Sequence, residues 1–294
     1  MRVVTTKRAV RESLAAPRRE ARTIGLVPTM GSLHAGHVSL LEAARADCDV
    51  VVMSLFVNPA QFGPGEDLER YPRDRDGDER MAADAGVDLI YVPDVAEVYP
   101  DGFATSIEVG GLSEVLCGDP DSRGPEHFRG VSTVVAKLLN TVGPDVAYFG
   151  QKDAQQAIVV GRMVRDLDFE VRVEVRPTVR EPDGLAMSSR NVYLEPQERK
   201  RALALRAALV SAESAASPGV PAADVLAEAR RVLVEAGVEP EYLEARDAEH
   251  LHPVESFNGR PVLVALAARI GRTRLIDNSI IEPGSEPGRD ANSD

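Results

Sequence analysis

The sequence predicts an α/β fold built on a doubly wound parallel sheet, followed by a smaller α+β domain. Short apolar runs alternate with helix-like segments up to about residue 178, and this alternation is typical of parallel sheets whose strands are connected by helices. Beyond that point two helices rich in Ala, Leu and Arg precede a group of strand-like runs. A chain of 294 residues has room for both domains.

The first domain is predicted from apolar strands and the helices between them. An apolar strand at 22–27 leads through a turn with Pro28 and Gly31 into a helix at 33–47. The β-branched run 49–57 then closes a β-α-β unit as a strand buried on both faces. The pattern continues in order with helix 74–86, strand 88–92, helix 131–141, strand 145–149, helix 154–167 and strand 171–175. Since such sheets bind ligands at the carboxyl ends of their strands, the loops after the strands are the expected site.

The second domain is predicted from two amphipathic helices, 197–216 and 222–236, and from strand-like runs at 242–245, 261–270 and 273–281. The last residues are nearly devoid of apolar side chains, which favours disorder. We therefore expect three parts: a Rossmann-like domain over residues 1–178, a C-terminal domain over 179–283, and a disordered tail at 284–294.

The amino-acid composition disfavours several kinds of binding partner. With 34 Lys and Arg against 47 Asp and Glu, the net charge is −13, which disfavours general binding to nucleic acids or anionic membranes. Cys48 and Cys117 are too few for a disulfide framework and lack zinc-ligand spacing. No apolar run reaches the ~18 residues that a membrane span needs. We expect a cytoplasmic protein with no nucleic-acid or membrane partner.

A histidine pair follows the first strand. His34 and His37 lie three residues apart where the strand passes into its helix, a spacing that aims both imidazoles to one side. The helix N-terminus favours phosphate, and Gly36 lets a ligand approach the backbone closely. Such a pair on a helix is often an ordinary surface feature, but its position at the carboxyl edge of a strand favours a phosphate site.

Two further loops carry groups suited to phosphate. Lys152 follows Gly150 at the end of a strand, and Ser188, Ser189 and Arg190 lie on a later loop that begins at a glycine. Each signal is weak alone. A capped surface helix with Asp153 as its N-cap explains the first segment equally well.

These motifs resemble two signatures of the nucleotidyltransferase superfamily. His34-Ala35-Gly36-His37 is similar to its HxGH motif, and Met187 to Arg190 is similar to its mobile KMSKS-type loop, with arginine where lysine is more usual. The resemblance implies that the histidines stabilise charge at the α-phosphate of ATP as pyrophosphate leaves.

A larger set of blocks, in the correct order between Thr23 and Tyr193, resembles the family of pantothenate synthetases, or pantoate-beta-alanine ligases. The blocks are PTMGSLHAGH at 28–37, FVNPAQF at 56–62, YPR at 71–73, HFRGV at 127–131, FGQKDAQQ at 149–156 and DGLAMSSRN at 183–191. The stretch 119–126, which contains Arg123, is longer than is usual in the family, so its role stays open.

The resemblance assigns roles to residues. His37 is the expected general acid or proton donor, and His34 its phosphate-binding partner. Gln61 and Gln156 are expected to bind pantoate, with Asn58 and Tyr71 as secondary contacts, and Asp76 and Asp78 lie near the expected magnesium. The ATP site implied by the resemblance consists of Met30, Gly31, Ser32, Leu33, His34, Ala35, Gly36, His37, Gly150, Gln151, Lys152, Asp153, Val179, Met187, Ser188, Ser189 and Arg190.

The implied substrates are ATP, pantoate and beta-alanine, with Mg²⁺ as the metal, a homodimer as the assembly and the C-terminal domain as a cover for the site. Two alternatives stay open. Another adenylyl or cytidylyl transferase would share HxGH but not the neutral pair Gln61 and Gln156, which suits a small hydroxy acid. A catalytically dead nucleotide-binding regulator would lack turnover, although both histidines, Lys152 and Arg190 are present.

Overall fold

The computed structural model describes residues 1–282, and its contacts divide the chain into two compact units. The first unit comprises Met1–Val179 with Met187–Ser189, and the second comprises Arg180–Ala186 with the chain from Arg190 onward. The expected tail at 284–294 lies outside the described residues. No helix within residues 1–282 is both long enough and apolar enough to cross a membrane.

The first unit is a six-stranded, fully parallel sheet with helices between its strands, which confirms the predicted fold class. Its strands are β1 (Arg2–Val4), β2 (Ile24–Thr29), β3 (Val50–Leu55), β4 (Leu89–Tyr91), β5 (Val146–Gly150) and β6 (Arg172–Arg176). Its helices are α1 (Lys7–Arg19), α2 (Ala35–Asp47), α3 (Arg75–Asp84), α4 (Val95–Val98), α5 (Pro125–Val142) and α6 (Ala154–Asp166).

The order of the strands is β1-β4-β3-β2-β5-β6, so the chain leaves β2 toward one edge of the sheet and later fills the other edge. Leu26 of β2 lies beside Val52 of β3 on one side and Ala147 of β5 on the other, and all three side chains are fully buried. Crevices in open α/β sheets form where the strand order reverses in this way. The loops after β2 and β5 therefore flank the expected ligand crevice.

Two elements at the N-terminus, β1 and α1, were not predicted. Thr6 caps α1 by accepting a hydrogen bond from the Ala9 amide, and Val10 and Leu14 are buried one turn apart. Pro17 lies in the last turn of this helix, where the helix is about to end. The many arginines of this segment leave only a short apolar stripe, so the sequence pattern does not indicate a helix clearly.

Helix α5 begins six residues earlier than the predicted 131–141 helix, because Pro125 occupies its first turn and Gly124 precedes it with φ +81°. His127 and Gly130 are consequently helical residues. This places the HFRGV motif, which begins before the predicted helix, on a rigid element.

The second unit is built from two helices and a three-stranded antiparallel sheet of order β7-β8-β9, as expected for an α+β domain. Its elements are α7 (Pro196–Ala215), α8 (Ala222–Glu235), β7 (Pro240–Asp247), β8 (Val262–Ile270) and β9 (Thr273–Ile281). Leu209, Val225, Phe257 and Leu266 are fully buried in one apolar core. The predicted helices and strands of this part agree with the structure within a few residues.

Candidate active site

The turn between β2 and α2 adopts backbone angles that side chains rarely accept. Gly31 has φ +90°, and a Cβ there would lie 2.7 Å from Leu55 Cδ1. Ser32 follows with φ +53°, an uncommon value for a residue other than glycine. A conformation of this kind persists only where its surroundings hold it.

Asp78, on α3, holds this turn. Its carboxylate accepts hydrogen bonds from the Ser32 amide at 3.0 Å and the Leu33 amide at 2.7 Å, and only 3% of the residue is exposed. Burial raises the pKa of Asp78, while the two amides oppose the rise by stabilising the charged form. Both carboxylate oxygens are thus engaged by the backbone.

His34 and His37 cap helix α2 reciprocally. His34 Nδ1 accepts a hydrogen bond from the Gly36 amide at 3.2 Å, and His37 Nδ1 accepts one from the His34 amide at 3.4 Å. Because a backbone amide can only donate, neither Nδ1 carries a proton, and each neutral ring carries its proton on Nε2. The ring centroids lie 4.1 Å apart.

His37 is held in its neutral form. Burial lowers its pKa from 6.5 to about 3, and the neighbouring His34 and Lys152 add to this effect, whereas Asp153 opposes it. Lys152 and Asp153 therefore lie close enough to His37 for their charges to act on it. The loops after β2 and β5 meet at this imidazole, as the sheet topology requires.

Gly36 is needed for packing inside the motif. A Cβ at this position would lie 2.9 Å from His34 Cε1 and 3.7 Å from Met187 Cβ. The space where a Cβ would stand is therefore occupied by the His34 ring. Approach of a ligand to the Gly36 backbone stays a prediction. This contact also places Met187 of the later loop next to the HxGH turn.

The loop after β5 forms a short 3-10 turn over Gln151–Asp153. Lys152 Nζ lies 3.4 Å from Asp153 Oδ1, and Asp153 stands at the N-cap position of α6 without making a capping hydrogen bond. This geometry disfavours the alternative that the segment is only a capped surface helix. The charges of the pair act instead on His37.

Gln61 and Asn58 form a buried amide network after β3. Asn58 Nδ2 donates to Gln61 Oε1 at 3.1 Å and to the Gly130 carbonyl at 3.1 Å, while Asn58 Oδ1 accepts from Tyr99 Oη at 2.8 Å. Gln61 Nε2 lies 3.3 Å from the Met30 sulfur and donates to it. Asn58 is 1% exposed, so it acts here by fixing Gln61 and Tyr99. A direct contact of Asn58 with substrate stays a prediction.

The first unit also contains part of the late loop. Met187 donates its amide hydrogen to the Val179 carbonyl at 3.0 Å, and Ser189 Oγ lies 3.4 Å from the hydroxyl of the buried Tyr71. Ser188 lies between these residues in the same unit. Arg190 belongs to the second unit, so its expected contact with ATP stays a prediction.

Gln156 lies on the first turn of α6 and is half-buried. Within the described part of the chain, no residue hydrogen-bonds to its side chain. Its amide is therefore available to a ligand, and its role with pantoate stays a prediction.

Four residues of this region were missed or left without a role: Glu66, Tyr99, Arg123 and His127. His127 lies in a motif whose sequence resemblance was noted, but the sequence indicates no partner for it. Burial lowers the pKa of His127 to about 4, and Arg123 contributes to the shift. Arg123 meets Glu66 across 57 positions, His127 meets Gln61 across 66, and Tyr99 meets Asn58 across 41, separations that no local pattern reveals.

Comparison with known proteins places this site in a family context. Residues 2–280 match the family model described as pantoate-beta-alanine ligase. A pantothenate synthetase of Moorella thermoacetica is 53% identical over 284 residues, covering 96% of this chain and 99% of that protein. A pantothenate synthetase of Acetivibrio thermocellus is 50% identical, covering 96% of this chain and all of that protein.

Two solved structures are similar over nearly the whole chain. The crystal structure of pantothenate synthetase from Thermus thermophilus has a TM-score of 0.89 and 46% identity, and covers 96% of this chain and 100% of that one. A pantoate-beta-alanine ligase from Francisella tularensis, complexed with beta-gamma ATP and beta-alanine, has a TM-score of 0.78 and 31% identity, with coverages of 95% and 97%.

Proposed function

The chain belongs to the pantoate-beta-alanine ligase family, and we propose how its residues carry out the family reaction. It is a ligase that condenses (R)-pantoate with beta-alanine through a pantoyl adenylate, consuming ATP and releasing AMP and pyrophosphate. The observation that carries the proposal is the paired imidazole turn beside Lys152 at the switch point of the sheet. The ligase from Francisella tularensis, complexed with beta-gamma ATP and beta-alanine, supports it.

In the first step, a pantoate carboxylate oxygen attacks the α-phosphorus of ATP, and the bond to pyrophosphate breaks. Gln61 and Gln156 supply amides that donate and accept hydrogen bonds, which suits a hydroxy acid. Lys152 offers a point charge to the β- and γ-phosphates. The Nε2–H group of His37 donates toward the phosphate oxygens, where negative charge develops.

In the second step, the amine of beta-alanine attacks the acyl carbon of the adenylate, loses a proton, and expels AMP. A carboxylate is a poor acyl donor because oxide is a poor leaving group, whereas the mixed anhydride releases a stable phosphate. The protein needs no covalent intermediate for this route. Both cysteines are buried thiols outside the motifs.

Positioning should supply more of the rate than proton transfer. Alignment of two reactants contributes up to ~7 to 11 kcal/mol to the lowering of the barrier, whereas one general acid contributes about 3 to 5 kcal/mol. With a pKa of about 3, His37 is neutral near pH 7 before substrates bind. We therefore assign it a hydrogen-bonding role, and proton donation requires that bound phosphate first raises its pKa.

Magnesium is best written as part of the substrate, Mg·ATP. Among residues 1–282 there is no cluster of three or more His, Cys, Asp or Glu side chains suited to holding a metal. Asp78, an expected neighbour of the metal, directs both carboxylate oxygens to backbone amides, and Asp76 is exposed on α3. These two residues do not fit a protein-held magnesium site. The expected homodimer and cytoplasmic location stay proposals from the family resemblance.

Pantoate-dependent exchange of labelled pyrophosphate into ATP tests the proposal. The expected result is exchange with pantoate and ATP without beta-alanine, followed by AMP and pantothenate when beta-alanine is added. Exchange with a different acceptor would favour another nucleotidyltransferase. Nucleotide binding without any exchange would favour a regulator and contradict the proposal.

A further inference from the structure

Arg123 forms a two-pronged ion pair with Glu66 beside the backbone of Gln61. Arg123 Nε lies 2.7 Å from Glu66 Oε1, and Nη2 lies 2.5 Å from Glu66 Oε2. The two side chains are only 17% and 24% exposed. Burial disfavours the charged form of Glu66, but its hydrogen bonds with Arg123 outweigh this and lower its pKa. Such parallel contacts fix geometry as well as charge.

The same guanidinium reaches the main chain of Gln61 along two routes. Arg123 Nη2 donates to the Gln61 carbonyl at 3.3 Å, and His127 Nδ1 lies 2.8 Å from that carbonyl. Arg123 Nη1 lies 3.2 Å from His127 Nε2. An arginine only donates, so His127 Nε2 accepts and His127 Nδ1 carries the hydrogen that it donates to Gln61. The Gln61 carbonyl oxygen therefore accepts two hydrogen bonds, one from Arg123 and one from His127, whose ring Arg123 orients.

The other side of Gln61 is confined by packing. A Cβ on Gly130 would lie 2.2 Å from the Ala60 carbonyl oxygen and 2.7 Å from the Gln61 amide nitrogen, so α5 presses directly on this backbone. Asn58 holds the Gln61 side-chain oxygen. Movement of the main chain at Gln61 would therefore also move its side-chain amide, which is the proposed ligand of pantoate.

Arg123 lies in the turn just before α5, and Arg129 on α5 offers a comparison. Arg129 binds Glu108 at 3.0 Å, but these side chains are 38% and 48% exposed, and both arginine contacts go to one carboxylate oxygen. Exposed ion pairs of this kind contribute little to the free energy of folding. The Arg123–Glu66 pair is half-buried. Withdrawing such a pair from water costs desolvation free energy, so the pair is weak evidence for stability and a geometric role explains it better.

We propose that Arg123, held by Glu66, is a positioning residue for the acid substrate: it sets the backbone of Gln61 directly and through the neutral His127. The inference rests on the proposed function, because it concerns the Gln61 amide as a ligand of pantoate. Arg123 itself need not touch pantoate. Its effect should appear in the use of pantoate and not in the use of ATP.

The test compares Arg123→Lys and Glu66→Gln with Arg129→Lys, which makes the same change six positions further along the chain, on α5. Kinetic constants for pantoate and ATP are measured by pyrophosphate exchange, and melting temperature is measured in parallel. Lysine keeps the charge but cannot make the parallel contacts. We expect KM for pantoate to rise about ten- to hundredfold in the first two variants, the range expected for a misplacement of up to ~1 Å. KM for ATP should change less than about twofold, and Arg129→Lys should behave as the parent protein.

A double variant with Gln61→Ala distinguishes a positioning role of Arg123 from a purely structural one. In a Gln61→Ala background, Arg123→Lys should have little further effect on KM for pantoate, because the amide that it positions is gone. Additive effects would overturn the proposal, as would equal rises in KM for ATP and pantoate, or constants like those of Arg129→Lys. Failure of the proposed function is seen separately, as absence of exchange in the parent protein.

Discussion

The side chain of His37 does two tasks whose demands are compatible. Its Nδ1 accepts a backbone hydrogen bond that closes the cap of α2, and this leaves the proton on Nε2. Burial among cationic and imidazole neighbours keeps the ring neutral. A neutral ring of fixed tautomer is a directed hydrogen-bond donor, which suits a group that must meet developing negative charge.

His37→Ala should therefore reduce pantoate-dependent exchange by about 10²- to 10⁴-fold while the protein stays folded. His37→Gln should recover part of the rate, because a glutamine amide can place an N–H group near the position of Nε2. Initial rates of exchange give the measurement, with circular dichroism as a check of folding. His250→Ala, which changes an exposed histidine of the second unit, is the control. Exchange at the parent rate in His37→Ala would refute the assigned role.

At the scale of elements, the β2–α2 turn depends on a helix that follows it by more than forty residues. Asp78 of α3 accepts hydrogen bonds from the Ser32 and Leu33 amides of the turn, which precede it by 46 and 45 positions. The backbone at Gly31 and Ser32 is thus fixed by tertiary contact.

Asp78→Asn should destabilise the protein by about 1–3 kcal/mol, because an asparagine amide group cannot accept the second hydrogen bond and leaves one buried amide unpaired. KM for ATP should rise as the histidine turn loosens. Urea unfolding and exchange kinetics measure the two effects. Asp76→Asn changes an exposed carboxylate on the same helix and should leave both quantities near their parent values. Equal effects of the two substitutions would contradict the role of Asp78.

Two helical glycines should respond to alanine with opposite signs. Gly161 of α6 has open space where a Cβ would stand, whereas a Cβ on Gly130 of α5 would collide with the Ala60 carbonyl. Gly161→Ala should stabilise the protein by about 0.5–1 kcal/mol through helix propensity. Gly130→Ala should destabilise it by about 1–3 kcal/mol through overpacking and raise KM for pantoate. Chemical denaturation checks both signs, and stabilisation by Gly130→Ala would rule out the close approach.

Across the whole fold, two neutral histidines, the half-buried His37 and the buried His127, make the free energy of unfolding depend on pH. The pKa is about 3 for His37 and about 4 for His127, against 6.5 for an ordinary histidine. Between these values the unfolded chain binds more protons than the folded one, so the free energy of unfolding rises with pH. Their contribution is fully present above about pH 6.5 and is lost as the pH falls toward 4.

For each unit by which the pH falls inside this window, each histidine should lower the free energy of unfolding by about 1.4 kcal/mol. His127→Asn removes one titrating group while keeping a donor near Nδ1, so its stability should fall less steeply with decreasing pH. Urea titrations at several values between about pH 4.5 and 6 give the slopes. His252→Asn, at an exposed histidine, should keep the parent slope. Equal slopes in His127→Asn and the parent would show that His127 is not buried as a neutral group.

The amount that could be predicted differs between parts of the molecule. Local periodicity predicted most strands and helices, because apolar spacing reflects burial directly. It missed β1 and α1, where arginines surround only a short apolar stripe, and it placed the start of α5 too late. The histidine pair and Lys152 were found because they stand in recognisable motifs at strand ends. Arg123 and Glu66 were not assigned a role, because their pairing depends on contacts across 57 positions.

Patterns in the sequence were enough to predict the α/β class, the two-part organisation of the elements, the family resemblance and the residues expected to meet ATP and pantoate. The neighbours of β2 and the tautomers of His34 and His37 depend on tertiary contacts. So do the hydrogen bonds by which Asp78 holds the β2–α2 turn and Arg123 holds the Gln61 carbonyl. The two kinds of feature differ in how far apart along the chain the interacting residues lie. Periodicity and motifs record interactions within a few residues of one another, whereas a tautomer, a buried pKa or a clamped carbonyl is set by groups that only folding brings within hydrogen-bond distance.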